Sequence, residues 1–411
     1  MENAPRNCEN AMIDLDTFLL PPTSQNYLAL RRLRVSGSHA DIGRALATIA
    51  RSDYGVTLAH YRDRIYGTSR LDYFKKNWPA GYERSLGVAA AYGIEPYSGE
   101  FDTSALPFDF SGAGCSVVFI PSALSANRKP LVGRNYDWYT VTASELHGRP
   151  VRPGEFPCSS RSQVTELRPH GAPATLHISA VDLLNPWIDG MNEEGLLVTV
   201  LSDPTAPAAG VPMAGGRAAG VSQFQLPLLL LQQCVCVDEA KRLILQQRIF
   251  SPTRGLHFLI ADADGRATVF EIDGTTGEYV FVDAVADKPL VVTNHPLHHF
   301  PNHADYPELD MSMEHNTYVR VCMLEDAIAD HDGAFTPGDV HALLMKVTCA
   351  FADNRMAGVN APFPERTLWS YVADLGEKVF NATFYLGDIG PIVGTNAMRV
   401  RRSELMRIAF S

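Results

Sequence analysis

The sequence predicts an α+β fold in which antiparallel sheets are covered by layers of helix. Three observations carry that reading. About the first hundred residues place apolar side chains mainly at helical spacing. At Cys115 the chain turns abruptly β-branched and aromatic, and beyond it such runs alternate with further helical stretches.

After a polar leader, Tyr27 to Val35 reads as a short strand that Gly37 breaks. His39 to about Ile65 carries Ile42, Leu46 and Ile49 at helical spacing. A second helical stretch runs from about Ser69 to Tyr92, interrupted near Pro79 and stopped at Gly93. Glu95 to Gly114 is rich in Pro, Gly, Ser and Asp and reads as an exposed linker.

Cys115 to Ile120 and Leu131 to Trp138, separated by a polar turn, form a hairpin signal. Further strands are expected at Ala174–Ala180, Leu196–Leu201, Leu256–Ala261, Thr268–Ile272 and Leu290–Thr293. Two of these flank the tight-turn sequence Asp262 to Gly265. Thr367–Asp374 and Val379–Leu386 make a late hairpin around Gly376. Helices are expected at Gln223–Cys234, Asp238–Gln247, Met313–Asp330 and Pro337–Ala350, the last with Thr336 as N-cap and Pro337 at its first position. Asp203 to Gly220 is a Pro/Ala/Gly-rich loop, long enough to be a lid or pocket wall. No repeat of fixed period is visible.

Composition narrows the function classes. A formal net charge of −11 argues against nucleic acid as a partner, because phosphate binding needs a cationic face. The N-terminus lacks a basic start followed by an apolar run, and the leucines of Leu226 to Leu231 are too few to span a bilayer. Neither secretion nor a membrane partner is therefore expected. Seven cysteines, an odd number, fit free thiols in a reducing, cytoplasmic setting. Cys234 and Cys236 lack a second pair at metal-ligand spacing and read as packing. His295, His298, His299 and His303 invite a metal reading, but this Pro-punctuated run offers no helical spacing for convergent ligands. A solvated or packing loop is expected there, with no metal and no cofactor.

The chemistry centres on Cys115. A cysteine opening a buried strand is ordinarily a core residue. Here Gly114 precedes it, and a glycine lets a group approach its carbonyl closely. An internal thiol needs that access to attack its own peptide bond. Cleavage would make Cys115 a new chain start, whose α-amine, with an ordinary pKa of about 7.7–8.0, can serve as general base to the thiol. No histidine motif nominates a separate base.

Gly114-Cys115, the run Gly133 to Trp138, the run Gly190 to Leu196 and the run Thr293 to Pro296 together resemble the acyl-coenzyme A:6-aminopenicillanic acid acyltransferase family. That family is related to the choloylglycine hydrolases, amidases of the N-terminal-nucleophile (Ntn) superfamily. Gly37 to Gly43 echoes its N-terminal segment, and the resemblance covers roughly residues 30 to 390. It implies an αββα sandwich of two antiparallel sheets flanked by helices. It also implies autoproteolysis before Cys115 and reaction through an acyl-thioester. Residues 1–114 would then be a helical segment retained as a small subunit, and residues 115–411 the catalytic one.

Residue by residue, Asp137 matches the acidic position that orients the new amine or supports an Arg/Asp network; its bland alternative is a solvated hairpin carboxylate. Arg134 could meet a substrate carboxylate, or pair structurally with Asp137 or another interior acid. Asn294 matches the oxyanion-stabilising asparagine, with a strand-end turn residue as the alternative. Asn192 reads first as a turn residue and second as a site-shaping one. Arg366 matches a family arginine more loosely.

Three functions follow as expectations. The first is hydrolysis of a linear N-acyl amide through a Cys115 thioester. The second is transfer of the acyl group to an amine, with an amide or a coenzyme A thioester as donor. The third is an uncleaved binding protein of the same fold. The partners expected are a small-molecule amide or acyl donor and the chain's own N-terminal fragment. Oligomeric state is not legible.

Overall fold

The computed structural model describes residues 12–61, 63–104, 114–180, 182–184, 187–203, 219–250, 255–307, 316–354 and 363–411. The chain opens with an antiparallel pair, β1 (Met12–Leu20) and β2 (Ala29–Gly37). Three helices follow, α1 (His39–Asp53), α2 (Arg64–Asn77) and α3 (Pro79–Tyr92). The Ser38 hydroxyl caps α1 by accepting the Asp41 N–H at 3.1 Å, and Asp63 caps α2 through the Ile65 N–H at 3.0 Å. The first helix therefore stops at Asp53 rather than near Ile65. Pro79 starts α3, and Gly93, at φ 67°, ends it. Helices α1 and α3 touch backbone to backbone. A Cβ on Gly87 would lie 1.9 Å from the Ala40 carbonyl oxygen, and one on Gly43 2.3 Å from that of Arg84.

Next come β3 (Cys115–Ile120), β4 (Leu131–Tyr139), α4 (Ala143–Leu146), β5 (Arg161–Pro169), β6 (Thr175–Ser179), β7 (Asp189–Asn192) and β8 (Leu197–Asp203). They are followed by β9 (Val221–Ser222), α5 (Leu226–Gln233), α6 (Val237–Leu245), β10 (Ile249–Phe250), β11 (Gly255–Ala261), β12 (Ala267–Ile272), β13 (Tyr279–Asp283) and β14 (Leu290–Val292). The chain closes with α7 (Thr317–Ala329), α8 (Pro337–Met345), β15 (Ala350–Asn354), β16 (Phe363–Asp374), β17 (Val379–Pro391), β18 (Met398–Arg402) and β19 (Met406–Ala409).

Two sheets organise these elements. The nine-stranded one runs β1-β2-β5-β6-β7-β8-β11-β12-β13. The eight-stranded one runs β14-β3-β4-β16-β17-β18, with β15 on β16 and β19 on β17. Their inner faces share the main core, where Val117, Phe119 and Trp369 of one sheet join Leu176, Leu197 and Leu259 of the other. Alternate residues of β3 and β4, including Val118, Ile120 and Leu131, point outward onto Val321 and Leu324 of α7 and Val340 and Leu344 of α8. Helices α1, α5 and α6 pack on the nine-stranded sheet. The layers are helix, sheet, sheet and helix. Among the described residues, no helix is long and apolar enough to cross a membrane.

Three expectations are corrected. The sheets are not wholly antiparallel, because β2 and β5 pair in parallel across Ala29–Gly37 and Arg161–Pro169. Parallel neighbours need a long crossover, which the helices and the β3–β4 hairpin between them supply. The first hundred residues are also not mainly helical at their start: β1 is an edge strand whose Asp16 meets Arg31 of β2 at 2.6 Å. Lastly, the expected exposed linker is partly interior, since Asp102, Thr103 and Gly114 are buried. Its residues 105–113 lie outside the described residues, as do 204–218 of the expected lid loop.

Candidate active site

The hairpin register builds the site. Cys115 is the first residue of β3, opposite Tyr136 of β4, and it is 2% exposed. Its side chain shares the inner face with Val117 and Phe119, so the thiol points at the other sheet. One residue earlier, the Gly114 carbonyl accepts the Asp137 N–H at 3.0 Å. The Gly114 N–H in turn donates to Glu365 Oε1 at 2.9 Å. The peptide bond before Cys115 is thus held on both sides.

The antiparallel pairing of β14 with β3, with Val292 opposite Val117, brings Asn294 level with Cys115. Asn294 Oδ1 accepts the Cys115 N–H at 2.7 Å, and its Nδ2 donates to the Ser202 carbonyl at 2.6 Å. Thr317 Oγ1 fixes the Asn294 backbone N–H at 2.8 Å. Asn294 is therefore no mere turn residue, but it meets the cysteine through its oxygen. Its N–H groups are not aimed at the thiol.

Arg320, one turn into α7, was missed from sequence. Asn316 caps that helix, accepting the Tyr318 N–H at 2.8 Å, and so sets which face Arg320 occupies. Its guanidinium donates to the Cys115 carbonyl, to Ser116 Oγ at 3.0 Å and to Asn294 Oδ1 at 2.8 Å. Burial pulls its pKa down, while Asp137 and Cys115 hold it up.

Arg134 and Tyr136 share the inner face with the thiol, whereas Asp137 points to the helix-facing side, where Thr367 Oγ1 donates to it. Of the two structural partners expected for Arg134, Asp137 or another interior acid, it is the interior acid that Arg134 meets. Arg134 Nε lies 2.9 Å from Asp189 Oδ1, both side chains fully buried, and its Nη2 donates to the Val200 carbonyl at 2.7 Å. Thr199, Trp369 Nε1 at 2.8 Å and Tyr371 at 3.4 Å complete the shell of Asp189. Burial raises the Asp189 carboxyl, and Arg134 opposes that rise. Burial also pushes the Cys115 thiol up, with Arg134 opposing it and Asp137 adding to it.

Asn192 takes the turn role that it first reads as, and Arg366 falls elsewhere. Asn192 clasps the β7–β8 turn: its Oδ1 accepts the Glu194 and Leu196 N–H groups at 3.2 and 3.0 Å. Its Nδ2 donates to the Leu231 and Cys234 carbonyls at 3.0 and 2.8 Å. Arg366 forms a two-armed pair with Asp388 at 2.8 and 2.7 Å and also binds the Phe351 carbonyl. Neither is bonded to Cys115 or its partners. Both serve to fasten strands.

The histidine run divides. His295 is fully buried and stacks on Tyr318, as a packing residue would. His298 bridges Glu271 at 2.5 Å and Asp273 at 3.1 Å, and His299 meets Asp273 at 3.2 Å. Asp273, His298 and His299 are the group among the described residues that could hold a metal, with ligand atoms within 4.8 Å of one another. Spacing along the run alone could not show this, because the carboxylate comes from the turn after β12.

No curated protein matches the sequence. Among solved structures, a mutant of conjugated bile acid hydrolase from Clostridium perfringens is 15% identical, with 72% of this chain and 97% of that one covered and a TM-score of 0.44. Penicillin V acylase from Agrobacterium tumefaciens is 17% identical, with 67% and 83% covered and a TM-score of 0.44. The family model for linear amide C–N hydrolases, choloylglycine hydrolase family, matches residues 122–350, more than half of the chain. With that match and the helix–sheet–sheet–helix layering, the chain belongs to the choloylglycine hydrolase family and is an Ntn-type enzyme acting on linear amide C–N bonds.

Proposed function

We propose that this chain cleaves its own Gly114–Cys115 bond and then hydrolyses a linear N-acyl amide with Cys115 as nucleophile. The observation that carries the reading is the double hold on that bond. The Asp137 N–H lies on the Gly114 carbonyl at 3.0 Å and Asn294 Oδ1 lies on the Cys115 nitrogen at 2.7 Å.

In self-cleavage the Cys115 sulfur adds to the Gly114 carbonyl carbon. The oxygen becomes an oxyanion where the Asp137 N–H already donates. The carbon–nitrogen bond breaks, and the nitrogen takes up the thiol proton and becomes the α-amine. Water then splits the thioester, leaving a carboxylate on residue 114 and restoring the thiol.

The same steps turn over substrate. Because burial makes the Cys115 thiol a weak acid, it needs a base, and the new amine sits on its own residue. That amine removes the thiol proton, the sulfur attacks the acyl carbon, and the leaving amine takes the proton back. Water completes hydrolysis. In this scheme Asn294 holds the amine through Oδ1, Arg320 anchors the Cys115 carbonyl, and the Arg134–Asp189 pair keeps a positive charge beside the sulfur.

Rapid quenching during turnover of N-acyl amides, followed by peptide mass analysis, tests the reading. An acyl adduct on the peptide that begins at Cys115 is expected, and Cys115→Ala should lose roughly 10³-fold or more in rate. Turnover by Cys115→Ala at the unmodified rate contradicts it.

A further inference from the structure

A second set of unpartnered polar groups lies away from Cys115, under α3 on the outer side of the nine-stranded sheet. Arg84 is 9% exposed, and none of its three guanidinium nitrogens has a hydrogen-bond partner. Trp78 Nε1 and Thr103 Oγ1 are likewise buried and unpartnered. All three residues line one cavity of about 30 Å³, whose other walls include Leu46, Phe74 and Leu228. Guanidinium and indole can only donate, and among the described residues the Arg84 guanidinium has no carboxylate bonded to it, so what this cavity lacks is a counter-anion.

The nearby ionisable groups do not supply a free negative charge. Asp102, also in the wall, is engaged by Tyr61 at 2.7 Å, by the Ser104 hydroxyl at 2.7 Å and by Arg70 at 3.6 Å. Burial alone lowers the Arg84 pKa to about 10, which leaves it cationic at neutral pH. His177 and His39 are held down to about 3 and about 4, first by burial and then by Arg84, so they are neutral there and bring no counter-charge. A buried, unpaired cation is destabilising, and a paired anion offsets that penalty. A water needs roughly 10–15 Å³, so the cavity has space for about two such groups.

We propose that Arg84, Trp78 and Thr103 form an internal binding site for a small monovalent anion, a halide or a short carboxylate. The cavity is walled from both sides of Cys115 in sequence, by α3 and by Trp187 and Leu228. The bound anion would therefore tie the N-terminal segment to the rest of the chain. The site uses none of the residues assigned to amide hydrolysis.

Thermal melting of the full chain tests it. The protein is dialysed into sodium gluconate, whose anion is too large for the cavity. Sodium chloride, formate or acetate is then titrated in at constant ionic strength. Saturable stabilisation is expected, with Tm rising by about 3 °C at a hundredfold excess over Kd. A response to chloride alone assigns an inorganic anion, and a response to formate or acetate alone assigns a carboxylate; either supports the site. Arg84→Met should lose the saturable response while melting no lower than the parent in gluconate. Trp78→Phe, which removes one donor, should raise the half-saturating concentration about tenfold. Identical melting in gluconate and in all three small anions overturns the proposal, as does a saturable response that survives Arg84→Met. Should Arg84→Met fail to fold, an unchanged midpoint in Trp78→Phe overturns it.

Discussion

Cys115 is a buried thiol between two guanidinium groups with different tasks. Arg134 lies on its side-chain face and is held by Asp189, while Arg320 grips its backbone carbonyl from the helix layer. Replacing Asp189 by Asn should leave Arg134 as an uncompensated interior charge and cost about 3–5 kcal/mol, read as a lowered denaturation midpoint. An unchanged midpoint would mean that Arg134 finds another partner. Arg320→Met should slow appearance of the cleaved fragments about a hundredfold, because two groups flanking the bond lose their donor. A time course on denaturing gels measures this, and cleavage at the parent rate would remove Arg320 from the reaction. Cys115, Asp137 and Asn294 were legible in the sequence because each sits in a short local motif. Arg320 and Asp189 were not, because what defines them is a partner far along the chain: Cys115 is 205 residues from Arg320. Arg366 misleads for the converse reason, whereas Asn192 is the turn residue that it first reads as. A motif fixes the residue but not whether its side chain turns to the thiol or to a neighbouring strand.

Elements with strong local signals formed where expected. The β3–β4 hairpin, the tight turn after β11 and the capped helix α8 depend on contacts within a few residues. β1 and the parallel β2–β5 pair do not. The first is an edge strand with charged residues on it, and the second joins segments separated by more than a hundred residues. The close packing of α1 on α3 gives a direct check on the N-terminal layer. Gly87→Ala should cost about 2–3 kcal/mol, since the added methyl meets the Ala40 carbonyl, and a midpoint equal to that of the parent would show that the helices can separate freely.

Across the whole molecule, the N-terminal segment is built into the core rather than laid upon it. Strand β2 lies inside the nine-stranded sheet, and Arg32 pairs with buried Glu166 at 2.6 Å. After cleavage the two pieces should therefore co-elute in native gel filtration, and active enzyme lacking the small piece would contradict that. Buried imidazoles set the acid limit. His177 is held at about 3 by burial and then by Arg84, and His295 at about 3 by burial and then by His257. Both lie below the ordinary value of about 6.5, so the unfolded chain takes up protons first. Their stability is complete above about pH 6.5 and is lost as pH falls toward 3, about 2 kcal/mol each by pH 5. Tm should decline between pH 7 and 5, and a flat profile would mean that these histidines are accessible when folded. The most direct test of the whole account is the N-terminal sequence of the large fragment from denatured, active protein. It should begin at Cys115, and Cys115→Ala should leave one 45.1 kDa chain without amidase activity. An active preparation consisting only of the uncleaved chain would contradict it.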